Sequence, residues 1–182
     1  MKQTILAVLL VSLAFSAAPR LRAADMPKGF RGEFLAQLDD IEKKIEGLAQ
    51  AVPEAKYTWR PAEGVRSISE VYMHIAGSNY LLLGFAGVKP PEGLSPDLEK
   101  ITAKNKVGEA LKASFENLRQ AILKTSDADL EKPAKLFGSD TTIRGVYFVT
   151  MSHLHEHLGQ SIAYARMNGI VPPWSMPAEK KK

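Results

Sequence analysis

Three of the four histidines sit at alternating positions in one short stretch, "SHLHEHLGQ", as His153, His155 and His157; the fourth, His74, lies far upstream in "SEVYMHIAG". If both stretches are helical, residues four apart project from nearly the same line, because the helix turns about 100° per residue. His153 and His157 then point together, and Gln160 and Tyr164 extend their stripe. His155 lies about 160° around the axis and faces elsewhere. Glu156 falls on the flank.

Two imidazoles one turn apart can reach one divalent cation. Alone the pair is weak, since such pairs also occur on surfaces. His74 is the decisive third group. It lies among Val71, Ile75, Ser78 and Leu81 on an inward-looking face, where a lone histidine would read as a hydrogen-bonded core residue. Were it to meet the other pair, three neutral imidazoles would hold a cation and leave positions open for water or substrate. Zinc or nickel suits this set best, and iron or manganese would also accept it. Glu156, Gln160, Tyr164 and Glu70 are candidates to orient the imidazoles or contact bound water. Their plainer readings are a surface charge, a packing amide, a core phenol and a helix cap. A cavity beside the histidines lined by Tyr164, Gln160 or Tyr72 would favour an enzyme over a closed metal store.

Four amphipathic helices would have to position these groups. Phe30, Phe34, Leu38, Ile41, Ile45 and Leu48 place one helix over about Gly29–Val52, ended by Pro53. Ser67-Ile68-Ser69-Glu70 is a capping-box pattern that starts a second, running to about Phe85. Val107, Leu111, Phe115, Leu118 and Ile122 mark a third over about Ala103–Thr125. The fourth spans about Thr142–Asn168, before Gly169 and Pro172-Pro173. "AGVKPPEGLSP" and "SDADLEKPAKLFGSD" read as loops, and no strand pattern of useful length is visible. The expected fold is all-α: a four-helix bundle. Its long second connection would cross the bundle end and make the order up-down-down-up.

The 182 residues suit one domain, 45% hydrophobic and 24% charged. Lys2, the apolar run "ILAVLLVSLAFSAA" and the small residues of "RLRAAD" read as a signal peptide over residues 1–24, cleaved after Ala23 or Ala24. The mature chain, 25–176 plus a basic tail at 177–182, would then be periplasmic or secreted, with no stable membrane anchor. Zero cysteines exclude a lipid-attachment cysteine and any thiolate ligand from the protein. The formal charge of +4 falls to +1 once Lys2, Arg20 and Arg22 are removed. No basic face interleaved with aromatics appears, so nucleic acid is not an expected partner. A small molecule is, and the chain could also pair as a homodimer.

"SISEVYMHIAGSNY", followed about 80 residues later by "HLHEHLGQSIAYARMNGIVPPW", resembles the DinB / YfiT-like metalloprotein family over roughly Phe30 to Trp174. The resemblance implies a four-helix bundle with a divalent ion held by His74 on the second helix and by His153 and His157 on the fourth. Leu158 departs from the arginine frequent there, and His155 is an addition. Relatives include thiol-dependent S-transferases and hydrolase-like members. The resemblance therefore implies an exported metalloenzyme that activates water or a small thiol; the alternative is a non-catalytic metal- or ligand-binding bundle. N-terminal sequencing of exported protein should read from Ala24 or Asp25, and a chain beginning at Met1 would refute the signal peptide.

Overall fold

The computed structural model describes residues 27–176. The signal peptide assigned to 1–24 and the basic tail at 177–182 lie outside the described residues. Four long helices form: α1 (Gly29–Ala51), α2 (Ile68–Phe85), α3 (Lys104–Lys124) and α5 (Ile143–Met167), with the single turn α4 (Asp127–Leu130) before the last. Among the described residues, no helix is long and apolar enough to cross a membrane.

The helices form where their apolar spacing requires. Phe34, Leu38, Ile41, Ile45 and Leu48 of α1 are buried, as are Val107, Leu111, Phe115, Leu118 and Ile122 of α3. Each set is one stripe of a 3.6-residue period closing on a shared core. At the start of α2 the Glu70 amide donates to Ser67 Oγ at 3.3 Å, and the Ser67 amide donates to Glu70 Oε2 at 2.6 Å. Glu70 is thus a cap. At the far end of α5, Gly169 takes the left-handed conformation, with φ +73°.

Each helix packs against two of the others, in the ring order α1, α3, α2, α5. Directions follow from the pairs that meet. Arg119 of α3 pairs with Asp39 and Glu42 of α1, and Lys104 donates to the carbonyls of Gln50 and Val52, so α3 is antiparallel to α1. Phe34 meets Tyr147 edge-on at 5.2 Å, and the end of α1 lies beside Pro173, so α5 runs with α1. Asn79 of α2 donates to Ser114 of α3 in the buried core at 3.1 Å. The order is up-down-down-up, as the long second connection requires.

One element departs from the all-helical expectation. Pro133–Leu136 (β1) pairs antiparallel with Ser139–Thr142 (β2), inside the segment read as a loop. Four-residue strands are too short for a period-two signal to stand out. Phe137 and Gly138 turn the hairpin with φ of +49° and +87°, the pattern of a tight primed turn normally marked by Asn-Gly or Asp-Gly. Phe137 accepts the left-handed backbone while its ring meets Phe85 edge-on at 4.8 Å.

Replacing Ser67 with Ala removes the side-chain half of the capping box. Denaturant melts should show a loss of about 1 kcal/mol with an unchanged slope.

Candidate metal centre

α2 and α5 run antiparallel in contact, which brings mid-helix to mid-helix. His74 meets His153 and His157 there. Ring centroids are 5.2 Å apart for His74–His153, 4.7 Å for His74–His157 and 4.3 Å for His153–His157. One nitrogen from each ring lies within 4.8 Å of the other two, so the three could hold a metal ion. His155 turns away, as the helical phase requires; it is exposed, with Nδ1 on the Met151 carbonyl at 3.0 Å.

The nitrogens not facing the centre are mostly fixed. His74 Nδ1 is 3.1 Å from Glu99 Oε1. As the carboxylate only accepts, that bond assigns the proton to Nδ1 and leaves Nε2 a lone pair. His157 Nδ1 lies 2.8 Å from Gln160 Oε1, whose amide donates to Tyr164 Oη at 3.1 Å. Nε2 of His157 is likewise left as a lone pair. Tyr164 is in turn held edge-on by Trp59 at 5.6 Å. Gln160 and Tyr164 thus stand in line behind His157. Glu156 does not: it is exposed and contacts none of the three rings, so the flank position takes it to solvent.

Glu99 was not among the sequence candidates. It belongs to the single 3₁₀ turn Leu98–Lys100, in the connection between α2 and α3. Arg66 donates to its other oxygen at 3.0 Å. Burial alone would raise the Glu99 pKa, but Arg66, with a hydrogen bond and a full charge, and His74 together bring it below the usual carboxylate value. The usable signal was the length of that connection, since long ordered loops in compact domains are commonly functional.

The electrostatics favour neutral rings. Burial, then the Arg66 charge and His157, lower the pKa of His74. Burial, then His157 and His74, bring that of His153 down to about 4. A metal needs the same neutral form.

The donor set can be tested against a cation. His74 Nε2 and His153 Nε2 are 3.2 Å apart. Two nitrogens bound tetrahedrally to one zinc would be about 3.3 Å apart, from bond lengths of about 2.0–2.1 Å. His153 Nδ1 is buried without a hydrogen-bond partner, so this ring is held only by its neighbours at the centre. With His74 Nε2 a lone pair, His153 Nε2 donates across that 3.2 Å contact, and a divalent ion would take the place of the shared proton; the spacing of the three imidazole nitrogens fits such an ion.

The opening beside Tyr72 and Tyr164 that would have favoured an enzyme is not found there. Tyr72 and Tyr164 close on Val52, Ile68, Val71 and Ser161 and leave no room for a water molecule. A groove of about 720 Å³ opens instead on the other side of α2, between that helix and residues 90–100, with His74 and Glu99 in its lining.

The DinB superfamily model matches residues 37–161. The fold resembles that of a DinB-like protein from Bacillus cereus ATCC 10987, at 17% identity and a TM-score of 0.70, covering 79% of this chain and 95% of that one. It also resembles the DinB-like protein YjoA of Bacillus subtilis, at 18% identity and a TM-score of 0.63, covering 82% and 99%. A conserved protein from Enterococcus faecalis matches at 13% identity and a TM-score of 0.61, covering 78% and 98%. No curated protein matches. With a family model spanning most of its length and this bundle around three converging histidines, the chain belongs to the DinB superfamily.

Proposed function

We propose that this DinB-superfamily protein is an exported metalloenzyme in which His74, His153 and His157 hold one divalent cation, zinc or nickel ahead of iron or manganese, next to an open substrate groove. The observation that carries the reading is the convergence of three imidazoles from two helices, one of which, His74, also lines that groove. The ion would supply Lewis acidity, bringing the pKa of a water it holds from about 15.7 toward about 7, or stabilising a small thiolate.

The chain's own groups do the positioning. Glu99 fixes the tautomer and ring plane of His74, and Arg66 keeps Glu99 ionised and in place. Gln160 does the same for His157, backed by Tyr164. Such outer partners are worth on the order of 10- to 100-fold in metal affinity or activity. Among the described residues, Glu99 is the one carboxylate hydrogen-bonded to the rings, so the reaction would rely on the cation for its nucleophile. Export favours hydrolysis over thiol transfer, because the cytoplasmic thiol pool is absent outside. The signal-like N-terminus and the lack of cysteine support that location.

Elemental analysis of protein purified from its native compartment should find about one divalent ion per chain. His74→Ala should strip it and lower the melting temperature, whereas His155→Ala should do neither; equal metal loss in both would contradict the site. A hydrolase and thiol-conjugation panel on the loaded protein separates turnover from a bundle that only binds.

Protons should act against the metal-free fold. The unfolded chain takes a proton on His153 near the ordinary value of 6.5, and the folded chain resists it down to about 4. The stability is therefore complete above the unfolded value and falls as pH drops through that window. His153→Gln should gain on wild type as pH is lowered, read by denaturant midpoints without metal; a constant difference would refute the assignment.

A further inference from the structure

The open stripe of α2 has the wrong chemistry for a helix facing only water. Most of this helix is buried. The residues left partly or fully open after its first turn are His74, Gly77, Leu81, Gly84 and Phe85, spaced by turns of the helix along one side. A solvent-facing stripe ordinarily carries charged and polar residues. Here, past the histidine, it offers two glycines and a leucine that is 56% exposed.

This stripe is the floor of the groove that has His74 and Glu99 in its lining. Leu94 and Leu98 stand in the facing wall. At Gly77 the floor and wall lie close: a Cβ there would stand in ordinary contact, 3.7 Å, with the Leu98 side chain. A Cβ on Gly84 would meet nothing within 4 Å, so its far end is open. From His74 to Gly84 the floor runs about 15 Å along the helix. The charges on the walls cancel in pairs, Arg66 with Glu99 at 3.0 Å and Lys100 with Asp97 at 3.0 Å. Nothing in the groove calls for a charged ligand body.

We infer that the groove takes a substrate with an elongated, uncharged, apolar body, such as an alkyl or acyl chain, laid along Gly77, Leu81 and Gly84 with an oxygen, nitrogen or sulfur donor at the end that reaches the imidazoles. This rests on the metalloenzyme reading for the donor end only. The apolar body is carried by the groove itself.

Two probes with the same chain separate these parts. Dodecanoate has a donor head; dodecyltrimethylammonium has none. Each is titrated below its micelle concentration, by calorimetry, into zinc-loaded and metal-free protein. Both should bind one per chain, with dodecanoate reaching a Kd below about 100 µM on the loaded protein and weakening about tenfold when zinc is removed. The ammonium probe should bind both forms alike. Leu81→Asp places a charge against the chain, and Gly84→Trp fills the far end. Each should weaken both probes by about tenfold or more while leaving zinc content and the melting profile unchanged. Affinities untouched by both substitutions, or no binding of either probe below about 1 mM, would overturn the inference. If the protein takes up none of zinc, nickel, iron and manganese yet the ammonium probe still binds and responds to Gly84→Trp, the metalloenzyme reading fails and the groove assignment stands.

Discussion

Three imidazoles can crowd into one half-buried space only while they are uncharged. Two protonated rings about 5 Å apart would repel by roughly 3 kcal/mol at an effective permittivity of about 20. Burial already opposes the charge on His74 and His153 before any neighbour is considered. The packing of α2 on α5 thus makes a small region that rejects protons and presents lone pairs. The rest of the molecule holds those two helices at that height and register. α1 packs on α5 and α3 on α2 to close the ring, with Leu38, Ile41 and Ile45 from one and Leu111, Phe115 and Leu118 from the other filling the centre.

What lies behind the rings is as specific as the rings. His74 is held by a carboxylate from a loop, and His157 by an amide from its own helix. The two supports differ in kind. Gln160 comes with α5 automatically, one turn on. Glu99 reaches His74 only because the chain between α2 and α3 folds back along α2 and is pinned there by Arg66. The same segment is a wall of the groove, so the element that shapes that groove also orients one of the three imidazoles.

Much of this was legible beforehand, for identifiable reasons. The stripes of α1 and α3 are regular, and the capping box at Ser67 is a local pattern, so both could be read residue by residue. Helical phase alone separated His155 from His153 and His157. The failures also have physical causes. Glu156 is sequence-adjacent to a ligand, but the helix carries it to solvent. Glu99 is 25 residues from His74 in a segment without periodicity, where only tertiary packing sets position. The hairpin at Phe137 uses an aromatic residue at a left-handed position that turn statistics assign to Asn, Asp or Gly. An opening lined by Tyr72 and Tyr164 would have favoured an enzyme; their burial against Trp59 and Val52 closes that side, and the groove lies on the side where α2 carries Gly77 and Gly84.

His74 and His153 lie 79 residues apart in the chain, so no single helix carries more than part of the set. An ion arriving at the unfolded polypeptide would find one weak pair and a distant third donor, with loop closure opposing their union. A cation held at this site would therefore not seed assembly in the way it does for small zinc modules. It would be acquired last, by a bundle already standing, and its identity would be decided by the free-ion pool of whichever compartment sees the finished fold, so two compartments with different pools would load the same polypeptide differently.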